Sequence, residues 1–268
     1  MIDWSDLIDE LDAWNAAGLT ATFWWRDDDA VEPNEKLDRL LEVTATVPIA
    51  LSVIPGLATK ALAKKLIDCK RITVFQHGWR HENHGSSSNP SEYPGNRPVH
   101  DVKNELREGR NRILELFGED FRSVFTPPWG SFDDRFLPLF LESGLPSISR
   151  EGPRSDATNA AGIFELNVHS NLLIWREDVA TFAGANVVIG DLLAHLRARR
   201  LSLCDIDEPT GILSHHLDQD SCTFDFVKRL TDVICGHNAA KWLHVSEIFA
   251  QHGRCTKANR AWRSVGEI

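Results

Sequence analysis

Short runs of β-branched and aromatic residues alternate along this chain with longer amphipathic runs, and this alternation restricts the folds that the chain can adopt. Segments such as TATFWW (20–25) and RITVF (71–75) have the length and composition of buried strands. Segments such as 34–45 and 102–117 instead repeat apolar residues at helical spacing. A repeated strand–helix order predicts a mostly parallel sheet covered by helices. We therefore expect an α/β fold in a single domain over residues 1–268, since no internal repeat or low-complexity linker divides the chain.

The charge and hydropathy of the chain exclude two classes of partner. Its formal net charge is −10, whereas a protein that binds nucleic acid along the phosphates needs a basic face. No apolar stretch approaches the roughly 20 residues that span a bilayer. The first residues, MIDWSDLIDE, are acidic and lack the basic start and apolar run of a signal peptide. We expect no nucleic-acid partner, no membrane span and a cytoplasmic location.

Four polar segments directly follow predicted strands, which is where parallel α/β folds place their ligand sites. They are RDDD at 26–29, HGWRH at 77–81, TPPWG at 126–130 and SHH at 214–216. The adjacent carboxylates of the first segment repel one another, and a cation would relieve that repulsion. Taken alone, the same acids could form a solvated turn.

The histidines of the second and fourth segments extend this argument. His77 and His81 are four residues apart, a spacing that can place both imidazoles on one helical face to chelate a single ion. His215 and His216 end an apolar strand, where they are either functional or a surface pair. One carboxylate and two imidazoles leave positions open on a divalent metal, as catalytic zinc sites require. A further Asp and His then supply a base and an acid.

The TPPWG segment has two prolines that fix the backbone and a glycine that permits an unusual turn. Such a segment can form the wall of a pocket and present a fixed backbone N–H, or it can simply be a rigid turn. We consider Pro128 and Trp129 candidate substrate-binding residues.

In their order, the four segments resemble the sequence blocks of the polysaccharide deacetylases, the NodB-homology or carbohydrate esterase 4 family. RDDD stands where that family has TFDD, and the two histidines of HGWRH match its HxxxH. TPPWG is loosely similar to its RxPxG block, and Leu213-Ser214-His215 is similar to its LxH block. The resemblance implies a distorted (β/α) barrel with fewer than eight full units.

The resemblance also implies roles for individual residues. Aligning the last two acids of RDDD with the family's DD pair makes Asp28 the catalytic base, and makes Asp29 a metal ligand together with His77 and His81. A slip of one residue would instead make Asp27 the base and Asp28 the ligand. The implied cofactor is one divalent metal ion. Zinc is the default because imidazole and carboxylate suit it, and the same ligands accept cobalt, iron or nickel.

The remaining roles concern proton transfer and charge. The resemblance implies that His215 is the acid that protonates the leaving amine, with His216 as the alternative, and that the backbone N–H of Trp129 binds the oxyanion. The family's third block usually carries an Arg that steadies the base, and Thr126 stands in its place here. We hypothesise that Arg26 supplies this positive charge from the first block.

The function implied by the resemblance is that of a metal-dependent hydrolase, which removes an N-acetyl or other acyl group from an amino-sugar compound. Without an export signal, we expect a small molecule or an oligosaccharide as substrate, bound by tryptophans such as Trp129 and Trp175 and by the long loop at 82–98. Two alternatives are an amidase or deformylase that acts on a non-sugar substrate, and a non-catalytic barrel that binds carbohydrate. The oligomeric state does not follow from the sequence.

Overall fold

The structure is a computed structural model, and it describes residues 2–176 and 179–252. The α-helices are α1 (Trp4–Ala16), α2 (Glu35–Val43), α3 (Lys60–Leu66), α4 (Val99–Phe117), α5 (Pro138–Glu142), α6 (Asp156–Ala160), α7 (Ala185–Arg200) and α8 (Ser221–Gly236). The predicted domain of 1–268 also includes residue 1, residues 177–178 and residues 253–268, which lie outside the described residues.

The strands are β1 (Ala21–Ala30), β2 (Ile49–Val53), β3 (Ile72–His77), β4 (Phe121–Thr126), β5 (Ser147–Ile148), β6 (Phe164–Glu165), β7 (Ser170–Asn171), β8 (Leu173–Arg176), β9 (Val179–Phe182), β10 (Thr210–Ser214) and β11 (Ala240–Trp242). Short 3₁₀ turns span Gly118–Asp120, Pro128–Gly130, Asp134–Phe136 and His216–Asp218. The long loop predicted at 82–98 contains no helix or strand, as expected from its Ser, Pro and Gly content.

In the described part of the chain, nine strands form one parallel sheet in the order β6-β5-β4-β3-β2-β1-β10-β7, with β11 added beside β1. Strands β8 and β9 form a separate antiparallel hairpin. The sheet curls, so that apolar side chains from strands as far apart as β10 and β4 share one inner cluster, including Leu213 and Val124. The predicted α/β class and the distorted barrel are both confirmed.

The central strands are buried on both faces, because helices cover the outside of the sheet and the curl encloses the inside. Phe23 and Trp25 of β1 belong to the outer cluster, which also contains side chains of α1, α7 and α8. Trp24 belongs to the inner cluster together with Phe75 and Leu213. This alternation, which has a period of two residues, determines which polar side chains at the strand ends face inwards.

Strand β1 is longer than the sequence predicted. The run TATFWW predicted a strand that ends at Trp25, yet β1 continues to Ala30. The extension forms because β10 pairs with β1 as far as Asp27, and β2 pairs with it as far as Ala30. The acids of RDDD are therefore strand residues rather than turn residues. Within the described ranges, no helix has the length and apolar character needed to cross a bilayer.

Candidate active site

Strands β1 and β3, which lie on either side of β2, carry inward-facing polar side chains of the candidate site. On β1, Arg26 and Asp28 follow Trp24 at intervals of two residues. In the same way His77 follows Phe75 on β3, and both His77 and Arg26 line one cavity with Asp28. Because the strands are parallel, their carboxyl ends meet at one edge of the sheet, where α/β folds bind ligands.

A bulge in β1 brings two consecutive acids to the same cavity. The pairing register between β1 and β2 shifts between Asp27 and Ala30. Asp29 lies at this shift with φ of 70°, a left-handed conformation that is uncommon outside glycine. An extra residue in one strand interrupts the alternation of sides. As a result Asp28 and Asp29 both line the cavity, although a regular strand would turn one of them away.

Asp29, His77 and His81 converge as a metal site requires. Oδ1 of Asp29 lies 3.0 Å from Nε2 of His77 and 3.4 Å from Nε2 of His81. Two ligand atoms on a tetrahedral ion at about 2.1 Å would lie about 3.4 Å apart. Nδ1 of His77 lies 3.1 Å from the carbonyl oxygen of Thr126, to which it donates, and Nε2 is the nitrogen that faces Asp29 and could bind a cation. These residues fit a divalent metal.

The electrostatics of the three groups are consistent with that fit. Burial opposes ionisation of Asp29, but the hydrogen bond and charge of His77 outweigh it and hold the pKa of Asp29 well below its usual range. Burial, reinforced by His77, lowers the pKa of His81. A carboxylate and a neutral imidazole are the forms that bind metal. For His77, burial is outweighed by Asp28 and Asp29, which raise its pKa, so a cation bound there would displace a proton.

The two histidines do not share a helical face, and that part of the sequence interpretation is wrong. His77 is the last residue of β3, and a turn follows in which Gly78 and His81 have φ of 54° and 58°. The imidazoles meet because the chain bends between them, with ring centroids 5.2 Å apart. Glycine suits the first of these left-handed positions, whereas His81 needs support from its surroundings.

Arg26 and Asp28 form a buried, bidentate ion pair. Nε of Arg26 donates to Oδ1 of Asp28 (2.9 Å), and Nη2 donates to Oδ2 (3.0 Å). Nη1 donates to Oγ of Ser149 at 2.7 Å. Burial opposes ionisation of Asp28, but the Arg26 guanidinium outweighs it and lowers the pKa of that carboxyl. Thr126 is fully buried and makes a hydroxyl contact with Ser52 at 3.1 Å. The guanidinium beside the candidate base therefore comes from position 26.

Asp27 points to the opposite side of β1 and does not line the cavity. Its carboxylate accepts hydrogen bonds from the Ser214 hydroxyl (2.5 Å) and from the backbone N–H of His216 (3.0 Å). Nδ1 of His216 lies 2.5 Å from the other carboxylate oxygen. Asp27, Ser214 and His216 are all fully buried. In the slipped alignment Asp27 would be the base, yet its oxygens are already engaged away from the cavity.

His215 lines the cavity, whereas His216 faces Asp27. The His215 ring packs edge-on against Trp175, with centroids 4.6 Å apart. Among the described residues, Nδ1 of His215 has no hydrogen-bond partner. Only one of the two candidate acids therefore has access to a substrate in the cavity.

The cavity has a volume of about 570 Å³ and two exposed tryptophans in its walls. Trp129 is 42% exposed and packs against His81, with ring centroids 4.1 Å apart. Trp175 projects from β8, which the sequence did not predict as a strand. Pro128 is buried and is not among the residues that line the cavity, whereas its neighbour Trp129 is, so a contact of Pro128 with substrate stays a prediction.

A second group of potential ligands, His169, His195 and Glu208, does not fit a metal ion. The two imidazole rings stack with centroids 3.4 Å apart and planes 14° apart, so one ion cannot lie in the planes of both. Nδ1 of His169 accepts a hydrogen bond from the Gly211 backbone N–H (3.0 Å), which leaves the proton on Nε2. Burial lowers the pKa of His195 to about 2. We interpret this group as a buried polar network.

A larger cavity, of about 780 Å³, opens at the other end of the sheet near Thr20 and Pro209. It contains none of the residues of the candidate site. The guanidinium of Arg199 in its wall is engaged by Thr22, Ile206 and Thr210. The carboxylates and imidazoles of the candidate site lie together in the smaller cavity.

Sequence reasoning missed two residues that contact the site. Ser149 accepts a hydrogen bond from Arg26, and Glu92 accepts hydrogen bonds from the backbone N–H groups of residues 79–81. Glu92 lies in the loop at 82–98, whose composition is typical of a solvated segment, and no local pattern there indicates a buried carboxylate. Sequence reasoning did find Trp175, from its residue type alone.

Comparisons with known proteins establish the fold. No family profile and no curated protein matches the sequence. Among solved structures, a candidate polysaccharide deacetylase from Mycobacterium smegmatis is 16% identical with a TM-score of 0.59, over 90% of this chain and 92% of that one. A family 4 carbohydrate esterase from Streptomyces lividans, in complex with acetate, is 14% identical with a TM-score of 0.51, over 81% and 88%. A carbohydrate esterase of family 4 from Streptococcus mutans is 14% identical with a TM-score of 0.51, over 90% of each chain. The chain shares the fold of these proteins, as its resemblance to the polysaccharide deacetylases predicted.

Proposed function

We propose that this protein is a metal-dependent hydrolase that removes an acetyl or other acyl group from the nitrogen of a small amino-sugar compound. One observation carries the proposal: around a single cavity lie a triad suited to a metal (Asp29, His77, His81), an ionised carboxylate (Asp28) and an accessible imidazole (His215). The shared fold with deacetylases and carbohydrate esterases supports the same reaction class.

Each residue has a distinct task in the proposed reaction. A divalent ion held by Asp29, His77 and His81 would polarise the acyl carbonyl and lower the pKa of water. Asp28 accepts a proton from the attacking water, and Arg26 keeps Asp28 ionised for that purpose. The products are a carboxylate and a free amine, and the overall reaction consumes one water.

The tetrahedral intermediate needs a donor for its oxyanion and an acid for its leaving group. We assign the role of oxyanion donor to the backbone N–H of Trp129. This residue lies in the cavity wall and has a left-handed backbone conformation (φ 55°, ψ 18°). His215 donates the proton that converts the leaving nitrogen into an amine. His215 lies on the cavity wall, whereas the neighbouring His216 is buried away from it, and this difference supports the assignment.

The walls of the cavity favour a small and uncharged substrate. A volume of about 570 Å³ lies within the range of small-molecule sites. Trp129 and Trp175 offer aromatic faces, and Asn83 and Asn171 offer amide groups that can hydrogen-bond hydroxyls. Arg26 is the one lysine or arginine among the lining residues of the described chain, and its charge is already paired with Asp28. A phosphate-bearing, nucleotide-linked sugar would therefore lack a cation to bind.

The proposal is tested by acetate release from zinc-loaded protein. We expect turnover of free or short-oligomer N-acetyl amino sugars, and at least tenfold lower kcat/KM for a nucleotide-linked N-acetyl sugar. Asp28→Asn protein, which keeps the three metal ligands, is the matched control for background hydrolysis. Zinc binding without acetate release from any of these substrates would contradict the sugar deacetylase assignment. Release from N-formyl or N-acetyl compounds that lack a sugar would point to the amidase alternative.

A further inference from the structure

The metal-ligand candidate His81 lies in an unfavourable backbone conformation. Its φ is 58°, in the left-handed region, and it is not followed or preceded by a helix or strand that would hold it there. A non-glycine residue in that region is strained and persists only when neighbouring groups fix it. Since His77 is held by β3, the position of His81 relative to His77 depends on what fixes this turn.

The turn is held by the carboxylate of Glu92, a residue that is only 1% exposed. Oε2 accepts a hydrogen bond from the backbone N–H of Trp79 (3.1 Å). Oε1 accepts hydrogen bonds from the N–H groups of Arg80 (2.7 Å) and His81 (3.1 Å). Three successive N–H groups that converge on one carboxylate form a nest, an arrangement that suits an anionic acceptor.

Two features of the chain make room for this carboxylate and anchor it. A Cβ atom at Gly78 would lie far inside contact distance of Oε2 of Glu92, at 1.9 Å. Arg97 donates to the backbone carbonyl of Glu92 (3.2 Å) and makes a bidentate pair with Glu105 of α4, at 2.7 Å for each bond. The long loop at 82–98 is therefore tied both to the helix behind it and to the turn that carries His81.

We propose that Glu92 is a positioning residue that holds His81 in reach of the metal ion. This inference rests on the metal site of the proposed function and adds to it a residue that does not itself bind the ion. Without the Glu92 carboxylate, the N–H groups of residues 79–81 lose their common acceptor. The turn then samples other conformations in which Nε2 of His81 no longer lies beside Asp29.

The test is the zinc affinity of metal-free, full-length protein, measured by competition with a chromophoric chelator. Glu92→Gln keeps the shape of the side chain but turns one acceptor oxygen into an N–H₂ donor that faces backbone donors. We expect zinc to bind 10- to 100-fold more weakly, the range seen when groups that orient metal ligands are removed. Glu10→Gln is the matched control, because it alters another buried carboxylate, which pairs with Arg197 and Arg200 and contacts neither the turn at 79–81 nor the loop at 82–98. We expect its affinity to stay within about threefold of wild type.

Glu92→Asp provides a second variant should Glu92→Gln fail to fold. It keeps the charge but is one methylene too short to reach all three N–H groups, so we expect an intermediate loss of zinc affinity. Zinc affinity within twofold of wild type in the folded variant would overturn the role of Glu92. Failure of the wild-type protein to bind zinc would instead contradict the metal site itself, so the two ideas fail in distinguishable ways.

Discussion

At the scale of single residues, a substitution of Asp28 distinguishes metal binding from proton transfer. Asp28 lines the cavity beside Asp29 but is bound to Arg26 rather than directed at the two imidazoles. We predict that Asp28→Asn retains zinc while kcat falls by about 10²–10⁴, because a base is lost and a ligand is not. Metal analysis and acetate release on the same preparation check this prediction. Loss of zinc together with activity would favour the alignment in which Asp28 is the ligand.

Arg26 controls the ionisation of the same carboxylate. Its guanidinium lowers the pKa of Asp28 against the opposing effect of burial. In Arg26→Ala protein the pKa of Asp28 should rise, and a base works only when it is deprotonated. We predict that turnover falls far more than zinc content and that the acidic limb of the kcat/KM profile moves to higher pH. An equal loss of zinc and turnover, with an unshifted limb, would argue against this role.

At the scale of secondary-structure elements, Asp27 joins β1 to β10 on the side away from the cavity. Its carboxylate contacts the residues on both sides of His215, with a hydrogen bond from the hydroxyl of Ser214 and contacts to the backbone and ring of His216. Removing one partner from a buried charged pair typically costs about 3–5 kcal/mol. We therefore predict that Asp27→Ala lowers the free energy of unfolding, measured by urea denaturation, by about 3–5 kcal/mol.

The control for this prediction is an exposed pair elsewhere on the surface. Asp38 of α2 pairs with Lys65 of α3 and is 57% exposed at its side chain. Such pairs contribute about 1 kcal/mol or less, so Asp38→Ala should have little effect on unfolding. Comparable losses in the two variants would mean that the Asp27 contacts between β1 and β10 add no special stability.

The elements of this fold were largely predictable from the sequence, and the geometry of the site was only partly so. Apolar runs such as RITVF identify buried strands because burial on both faces leaves a continuous apolar signature. The polar continuation of β1 through Asp27 to Ala30 was not predictable, since it depends on pairing with β10 and β2. The bulge at Asp29 and the turn at His81 also depend on contacts distant in sequence, such as that with Glu92.

Residue identity was more informative than local conformation. The resemblance grouped Asp29, His77 and His81 as one potential ligand set, and the structure brings a ligand atom of each within 4.8 Å of the others, although no helix joins the two histidines. Contacts between residues that share no local pattern could not be predicted from the sequence. Examples are the contacts of Asp27 with β10 and of Glu92 with the turn. Arg26 was identified because Thr126 stands where the polysaccharide deacetylases usually have the arginine that steadies the base, so another guanidinium had to be sought.

At the scale of the whole molecule, metal binding should stabilise the fold. A ligand that binds only the folded state adds about 2.7 kcal/mol when its concentration is 100 times its Kd. We predict that zinc raises the melting temperature, that a chelator reverses the rise, and that His77→Ala abolishes it. His195→Ala is the control, since its ring belongs to the stacked pair that does not suit an ion. If zinc still raised the melting temperature of His77→Ala protein but no longer raised that of His195→Ala protein, the metal would bind at the stacked histidines and the proposed site would be wrong.

The most direct measurement is anomalous diffraction at the zinc edge from crystals grown with zinc. We predict one strong peak bounded by Nε2 of His77, Nε2 of His81 and a carboxylate oxygen of Asp29, at about 2.0–2.2 Å from each. We also predict that Asp28 stays paired with Arg26 beside that ion. A structure without density there, in which these three side chains point away from one another, would contradict the proposed metal site and the hydrolytic function built on it.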